Sequence, residues 1–300
     1  MSATLRDRAE YALFSLLLRG AEGLSDQRAL RLGESIGRFG FQRVKVRRAV
    51  VEQHLRLAFP DRDEAWVRET AQAAYEHLGR ETLQTLRMSK MRPDEVLSIV
   101  HHEIGRERFY EAIDAGRGVV LVGGHVGNWE LGAATIAANG RAVDVVYQRQ
   151  RNPLFNDSIE KARQRLGLRL IDRRVATRQA LASLREGRTV GFVADQNAGR
   201  NGVFVPFFGR LASTHRGPAL LAIRSGAPMF FGAAVRQGDH YLGLTEEITV
   251  DREGDLDQVV ARLTAAFTSV LERLVREYPG QYFWHHRRWK TRPPEEPNQT

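Results

Sequence analysis

The chain has 300 residues, of which 42% are hydrophobic and none is cysteine. This length and apolar content suffice for one large domain or two small ones, and the lack of cysteine excludes disulfide bonds and thiolate metal sites. The formal net charge of +9 favours an anionic partner: nucleic acid, an acidic carrier protein, a phosphorylated substrate or an anionic membrane leaflet.

The most apolar N-terminal stretch, residues 11–18, is too short to cross a bilayer. It ends at Arg19, whereas a crossing needs roughly 20 residues. Acidic residues ahead of it and the lack of a cleavage motif make it a poor signal peptide. Two interpretations stay open: an amphipathic interfacial helix with Arg6, Arg8 and Arg19 around its apolar face, or a first helix packed on the core.

Helical spacing of apolar residues continues to about residue 116, and the pattern then changes. Strands are predicted at 119–122, 143–147, 189–194 and 229–235. Helices are predicted between and after them at 129–138, 153–166, 176–186, 215–225 and 256–278. This alternation predicts an α/β fold with a mainly parallel sheet flanked by helices. The expected organisation is a helical N-terminal region over 1–116, an α/β domain over 117–292 and a disordered tail over 293–300.

The segment 119–132, VVLVGGHVGNWELG, joins a strand to a helix through a glycine-rich turn. Sites in parallel sheets lie where strands end at their carboxyl edge, which is where His125 falls. On one continuous helix, His125 and Glu130 would point about 140° apart. A turn can instead fold His125 back over the first helical turn, so that Glu130 holds one imidazole nitrogen while the other acts as a base.

Three glycines flank His125 in this turn, namely Gly123, Gly124 and Gly127. They are expected to allow tight turning and to leave backbone N–H groups free near a reacting carbonyl. The alternative is a loop histidine without a catalytic role and a solvated carboxylate that the helix dipole favours at a helix start.

The string GGHVGNWELG resembles the H-x-x-x-x-D/E motif of the glycerolipid acyltransferase superfamily. With asparagine and tryptophan before the glutamate, it is similar to the lipid A biosynthesis late acyltransferases, the lauroyl and myristoyl transferases. Further similar blocks follow the family's order and extend the likeness over nearly the whole chain after residue 40. They lie at 47–60, 152–167, 194–196, 203–209, 212–217 and 281–293.

This resemblance implies a fatty acyl donor that is an acyl-carrier-protein or CoA thioester, a glycolipid hydroxyl acceptor, and neither metal nor cofactor. The apolar face of the first helix and the net positive charge predict peripheral, salt-sensitive attachment to an anionic membrane, and the expected location is the cytoplasmic face of the inner membrane. Two departures leave the acceptor open among lipid A, other glycolipids and phosphatidylinositol mannosides. The N-terminus is short and charged where relatives commonly have a fuller hydrophobic anchor, and Gln148 follows Tyr147 where an arginine is common.

Besides the catalytic pair, four residues are candidates for substrate binding: Arg163, Asp195, Arg149 and Asn128. Asp195 ends a predicted strand and is expected to orient the acceptor or to pair with an active-site arginine, the alternative being a loop cap. Arg163 suits bidentate phosphate binding. Neighbouring arginines make a basic patch for head groups or an acidic carrier. They are Arg151, Arg165, Arg169, Arg173 and Arg174.

Two C-terminal tryptophans, Trp284 and Trp289, bracket basic residues and are expected at a membrane interface. A different motif, residues 33–37 (GESIG), matches the nucleophile elbow of hydrolases. That elbow needs a strand before it, whereas residues 30–39 are predicted to form one amphipathic helix. Ser35 is therefore not expected to be a nucleophile.

The expected mechanism is direct transfer in a ternary complex, with His125 removing the proton of the acceptor hydroxyl, which attacks the thioester carbonyl. No acyl-enzyme is expected, because the chain has no cysteine and no credibly placed serine. One alternative is a lysophosphatidate-type glycerophospholipid acyltransferase. The other is a basic nucleic-acid-binding protein, but no nucleic-acid motif is recognised, so nucleic acid is not expected as a partner.

Overall fold

The computed structural model describes residues 3–22, 24–251 and 253–294. These residues form eleven α-helices and nine β-strands. The helices are α1 (Leu5–Glu22), α2 (Asp26–Phe39), α3 (Arg48–Ala58), α4 (Glu64–Met88), α5 (Pro93–Ser98), α6 (Arg106–Asp114), α7 (Trp129–Ala138), α8 (Pro153–Arg165), α9 (Ala176–Arg185), α10 (Gly217–Ser225) and α11 (Leu256–Glu277). The strands are β1 (Val100–Ile104), β2 (Val119–Gly123), β3 (Val143–Tyr147), β4 (Arg169–Asp172), β5 (Thr189–Val193), β6 (Val203–Phe207), β7 (Arg210–Thr214), β8 (Met229–Gln237) and β9 (His240–Glu247).

Seven of the strands form one sheet in the order β1-β9-β8-β2-β5-β3-β4. The central strand β2 runs parallel to β5 on one side and to β8 on the other, and β3 and β4 continue the parallel arrangement. Only the β8–β9 pair is antiparallel in this sheet. The predicted α/β fold with a mainly parallel sheet is confirmed. The carboxyl ends of β8, β2, β5, β3 and β4 consequently meet at one edge.

Both faces of the sheet are buried, as expected for parallel strands covered by helices. Val120 and Val122 of β2 belong to the larger core, which includes Phe267 of α11. The alternate residue Val119 belongs to a smaller core on the other face, with Ile136 of α7. Because helices cover both faces, the exposed strand ends are where the sheet can meet a substrate.

One strand lies inside the region that the sequence predicts to be helical throughout. Val100–Ile104 forms β1, which pairs with β9 at the edge of the sheet, so the prediction is wrong at these residues. The segment VHHEI is only partly buried and lacks an alternating apolar pattern. Its strand conformation is determined by pairing with a partner about 140 residues later, and local periodicity does not report such pairing.

Helix α2 packs on α4 through glycines. A Cβ atom at Gly37 would lie 2.1 Å from the carbonyl oxygen of Tyr75, and one at Gly33 would lie 2.6 Å from that of Gly79. The GESIG motif is therefore a close helix–helix contact. Ser35 lies within α2 and its hydroxyl bonds the backbone of the preceding turn. The single helix predicted here is confirmed, and among the described residues that precede Ser35 none forms a strand.

The C-terminal segment 278–292 is built into the core. Trp284 is 1% exposed and Trp289 is 7% exposed, so the prediction that they sit at a membrane interface is wrong. The indole of Trp284 donates to the carbonyl of Pro279 at 2.7 Å. Arg288 is also buried and donates to the carbonyl of Ser213 at 2.6 Å. Tryptophans among basic residues suit a membrane interface equally well in sequence, but here Nη1 and Nη2 of the Arg288 guanidinium are hydrogen-bonded inside the protein.

The first helix, α1, extends over Leu5–Glu22 and packs on α8. The rings of Tyr11 and Phe155 meet edge to face at 5.6 Å, and Asn152 donates to the carbonyl of Asp7 at 3.1 Å. These contacts favour the core-packing interpretation of this helix; the Arg19 side chain lies outside the described residues. Within the described ranges, no helix has the length and hydrophobicity that crossing a membrane requires. Most of the predicted tail, residues 295–300, also lies outside them.

Candidate active site

The turn that follows β2 depends on two glycines. A Cβ atom at Gly124 would lie 2.5 Å from Leu271 and 3.4 Å from the carboxyl carbon of Asp195. Gly127 has φ +61°, and a Cβ atom there would lie 2.0 Å from the carbonyl oxygen of Ala234 on β8. Only glycine fits at Gly127, because backbone crowding and a left-handed conformation both exclude a side chain, whereas a methyl group at Gly124 would require the end of the Leu271 side chain to move. The two close approaches hold His125 between them at the edge of the sheet.

The imidazole of His125 is held by Asp195. Its Nδ1 lies 2.6 Å from Asp195 Oδ1, and the backbone N–H of His125 donates to Asp195 Oδ2 at 2.9 Å. The Asp195 side chain is 3% exposed, whereas that of His125 is 18% exposed. One carboxylate thus fixes both the backbone and the ring of the histidine, and it leaves Nε2 for a substrate.

This pairing follows from strand order. In the parallel ladder between β2 and β5, Gly123 is opposite Val193. Two residues further along each strand lie His125 and Asp195, so neighbouring parallel strands in register bring these side chains together. The expectation that Asp195 orients the acceptor or pairs with an arginine is therefore wrong. The sequence contains no local signal for the pairing, because it depends on β2 and β5 being adjacent.

The electrostatics of the pair favour a strong base. Burial alone would lower the pKa of His125, but the charge and hydrogen bond of Asp195, with a smaller contribution from the charge of Glu130, raise it above the ordinary value. Burial would raise the pKa of Asp195, but the interaction with His125 lowers it instead. Asp195 therefore stays ionised and stabilises the imidazolium that forms when Nε2 takes a proton.

Aromatic rings and one amide surround the imidazole. The ring of Trp129 meets it edge to face at 4.9 Å, and the ring of Phe283 lies 5.8 Å away. The backbone N–H of Phe283 also donates to the carbonyl of His125 at 2.9 Å. The amide nitrogen of Gln196 lies 3.4 Å from His125 Nε2, so a side-chain donor is present where a substrate oxygen would approach. The sequence alone indicates no role for Gln196.

Glu130 does not contact the imidazole as predicted. Its carboxylate receives two hydrogen bonds from the guanidinium of Arg163, at 2.9 Å from Nε and 2.5 Å from Nη2. Both side chains are largely buried, with 15% of Glu130 and 20% of Arg163 exposed. The five-residue spacing places Glu130 close enough to act on His125 through its charge, but its hydrogen bonds go to helix α8. The prediction of a direct His125–Glu130 hydrogen bond is therefore wrong.

Asn128 is a structural residue beneath the turn. Its Oδ1 accepts from the backbone N–H of Leu131 at 3.0 Å and caps α7, while its Nδ2 donates to Glu81 Oε2 at 2.9 Å. The Glu81 carboxylate also accepts hydrogen bonds from Nε of Arg236 at 2.6 Å and from the hydroxyl of Tyr241 at 2.5 Å. Asn128 is 1% exposed. Its expected contact with substrate is wrong, because both ends of its amide are used inside the protein.

Two further expectations also differ from the geometry. The N–H of Gly127 donates to the carbonyl of Gln281 at 3.0 Å, so it is not free for a reacting carbonyl. Arg149 follows β3 at the same sheet edge. Its half-exposed side chain faces Glu160, with 3.7 Å between Nε and Oε1, and not His125. In the described part of the chain, no group of three or more histidine, aspartate or glutamate side chains is arranged to hold a metal ion.

Comparison of the sequence with known proteins assigns the chain to a family. The family model described as bacterial lipid A biosynthesis acyltransferase matches residues 7–291. The chain belongs to this family. It is similar to the lipid A biosynthesis lauroyltransferase of Escherichia coli K12, with 30% identity over 88% of this chain and 85% of the relative.

Two other relatives widen the comparison. The lipid A biosynthesis palmitoleoyltransferase of Escherichia coli K12 is 30% identical over 87% of this chain and 85% of its own. The phosphatidylinositol mannoside acyltransferase of Mycolicibacterium smegmatis is 28% identical over 71% of this chain and 68% of its own. This member of the lipid A acyltransferase family is thus an enzyme that transfers acyl groups, and the predicted family is confirmed.

Proposed function

We propose that this acyltransferase moves a fatty acyl group from an acyl-carrier-protein or CoA thioester to a hydroxyl of a lipid A precursor or a related glycolipid. The observation that carries the proposal is the His125–Asp195 pair at the end of β2, in which the carboxylate takes Nδ1 and leaves Nε2, 3.4 Å from the Gln196 amide, for the acceptor hydroxyl. The glycolipid acceptor is supported by the names of relatives that act in lipid A biosynthesis and on phosphatidylinositol mannoside. The enzyme works at the cytoplasmic face of the inner membrane. Family membership supports the association with the inner membrane, and the cytoplasmic face is part of the proposal.

In the proposed mechanism, Nε2 of His125 accepts the proton of the acceptor hydroxyl as its oxygen attacks the thioester carbonyl carbon. Asp195 stabilises the imidazolium through Nδ1. When the tetrahedral intermediate collapses, the carbon–sulfur bond breaks and the departing sulfur takes the proton from Nε2. The Gln196 amide is the nearest side-chain donor to Nε2 and stabilises the developing oxyanion.

Arg163 is proposed to bind an anionic group of the substrate, with Glu130 as its positioning residue. Two of the five N–H donors of the guanidinium face Glu130, which leaves donors for a phosphate. The Glu130 carboxylate fixes the plane of the guanidinium through these two hydrogen bonds. In this proposal Glu130 acts on catalysis through Arg163 and through its charge, and it does not hold His125.

The test is acyl transfer by purified His125→Ala protein to an extracted glycolipid acceptor, with products identified by mass spectrometry. Transfer should fall roughly 10²–10⁴-fold or more, since a general base typically contributes that much. Ser35→Ala serves as the control and should transfer at close to the wild-type rate, because its hydroxyl bonds only its own helix. Retention of more than roughly a tenth of the rate by His125→Ala would contradict the mechanism.

A further inference from the structure

An exposed ridge of alternating apolar and basic residues runs from the last turn of α2 to the start of α3. We define the docking ridge as residues 36–47. Its large apolar side chains are unusually open: Ile36 is 42% exposed, Phe39 60%, Val44 56% and Val46 61%. Every residue from 42 to 47 is exposed. The basic side chains interspersed among them are Arg38, Arg43, Lys45 and Arg47.

The ridge is held in shape by backbone bonds on its inner side. Lys45 and Arg47 have φ of 59° and 58°, a left-handed conformation that residues other than glycine rarely adopt. The N–H of Lys45 donates to the carbonyl of Gly40 at 2.7 Å, and the hydroxyl of Tyr75 donates to the carbonyl of Val46. Such backbone strain persists only where surrounding contacts enforce it. Here those contacts fix a shape that turns valine side chains toward solvent.

The same ridge is connected to the catalytic histidine. Arg47 donates to the carbonyl of His285 at 3.0 Å, and the His285 ring stacks on that of Phe283 at 5.0 Å. Phe283 in turn bonds the carbonyl of His125. The ridge is therefore joined to the catalytic turn through the C-terminal segment.

We propose that the docking ridge binds the surface of an anionic bilayer. Phe39, Val44 and Val46 enter the boundary between head groups and acyl chains, while Arg43 and Lys45 contact lipid phosphates. Apolar side chains flanked by cations match this interface, and the net charge of +9 attracts an anionic leaflet from a distance. An acidic protein partner would complement the cations alone, so a lipid surface fits both halves of the pattern. The inference rests on the proposed location at a membrane and deepens it, because it assigns the surface that makes the contact.

The cysteine-free sequence permits a site-specific test. Val44→Cys and Ile104→Cys replace side chains of matched exposure, 56% and 57%, on the ridge and on the edge strand β1. Each protein is labelled with an environment-sensitive fluorophore and mixed with phosphatidylglycerol or phosphatidylcholine vesicles. The fluorescence emission should shift to the blue only for the label at 44 and only with phosphatidylglycerol vesicles. The shift should become smaller as the salt concentration rises.

Sedimentation with the same vesicles measures the contribution of each half of the pattern. Phe39→Ser/Val44→Ser/Val46→Ser should weaken binding about tenfold or more, because three apolar groups lose their burial. Arg43→Gln/Lys45→Gln should weaken it roughly tenfold at low salt. The control, Arg117→Gln/Arg224→Gln, removes the same charge from exposed positions that precede β2 and β8, and it should bind like the wild type.

The melting temperatures of all variants establish that they are folded. His125→Ala should bind vesicles like the wild type, so failure of the proposed reaction is distinguishable from failure of the ridge. An unresponsive label at 44, or undiminished binding by the folded triple-serine variant, would overturn the proposal. A label at 44 that responds to acyl carrier protein and not to vesicles would show instead that the ridge binds a protein.

Discussion

At the scale of single residues, the position of Asp195 determines the pH range in which His125 is a base. Catalysis requires the neutral imidazole, and Asp195 raises the pKa of His125 above its ordinary value of 6.5 against the opposing effect of burial. Transfer should consequently increase with pH until the imidazolium has lost its proton. The imidazolium–carboxylate pair also stabilises the fold below the unfolded pKa of the histidine, and this stabilisation is lost as pH rises through the higher folded pKa.

Asp195→Asn should remove both effects. Without the carboxylate, burial lowers the pKa of His125, so the acidic limb of the kcat/KM profile should move to lower pH. The maximal rate should fall roughly 10²–10⁴-fold, because the imidazolium loses its counter-charge and the ring loses its orientation. The profile is measured from pH 5 to pH 9 for the variant and the wild type, a range of roughly two pH units or more on either side of neutrality.

The matched control is Asp172→Asn. Asp172 ends β4 at the same edge of the sheet, but its carboxylate accepts hydrogen bonds from Arg174 and not from the imidazole. Its removal should leave the position of the acidic limb unchanged. An Asp195→Asn enzyme with the wild-type profile would mean that another group sets the pKa of the base.

The sequence identifies His125 but not the residue that holds it. A histidine after an apolar strand and two glycines predicts a site at the carboxyl edge, because parallel sheets place sites there. The nearest carboxylate in the sequence is Glu130, and it was the predicted partner. The true partner, Asp195, is 70 residues away. Only the adjacency of β2 and β5 brings it near, and strand order is a property of the whole sheet.

At the scale of elements, helix α4 supports the catalytic turn from below. His77 Nε2 lies 3.2 Å from the carbonyl of Gly127, and Glu81 receives the amide of Asn128. Burial lowers the pKa of His77, so the ring is neutral and donates one hydrogen bond. Helix α2 in turn packs on α4 through glycines. The helical N-terminal region therefore contributes to the geometry of the site. A change in the α2–α4 contact should also change the position of the catalytic turn.

Gly37→Ala tests this contact. The new methyl group would lie 2.1 Å from a backbone oxygen of Tyr75, so α2 must move away from α4. Overpacking of this kind costs about 1–3 kcal/mol of unfolding free energy, and here the obstacle is backbone that cannot rotate away. Gly132→Ala is the control, since its Cβ meets nothing within 4 Å in helix α7. The control should gain up to about 1 kcal/mol in helix propensity. Denaturant unfolding measures both, and equal stability of the two variants would contradict tight α2–α4 packing.

Elements with strong internal periodicity were predictable from sequence, and elements defined by pairing were not. The central strands β2, β3, β5 and β8 are apolar because both faces of the sheet are covered, so composition alone reveals them. The edge strand β1 contains two histidines and a glutamate and becomes a strand through its hydrogen bonds to β9. Trp284 and Trp289 show the same limit, since their burial depends on rings distant in sequence: Phe59 and Phe208 pack beside Trp284, and His54 and Phe207 pack beside Trp289.

At the scale of the whole molecule, a group of basic side chains lies where it can affect substrate arrival. Exposed arginines surround the carboxyl ends of β3 and β4, on the same edge of the sheet as His125. They are Arg149, Arg151, Arg173, Arg174 and Arg178. Two of them are near carboxylates, Arg149 near Glu160 and Arg174 beside Asp172, so part of their charge is already neutralised. The field of such a group would attract an acidic protein and raise its rate of association.

If the proposed donor is an acidic acyl carrier protein, its use should depend strongly on ionic strength. We expect kcat/KM with acyl carrier protein to fall roughly tenfold or more between low salt and about 0.3 M, since screening removes electrostatic steering. The same acyl group on pantetheine carries no carrier charge, and its kcat/KM should change little. Arg173→Gln/Arg174→Gln should flatten the salt dependence for the carrier, whereas Arg117→Gln/Arg224→Gln should preserve it. Equal salt dependence with both donors would show that this arginine-rich edge does not guide the carrier, and that the net charge serves the membrane alone.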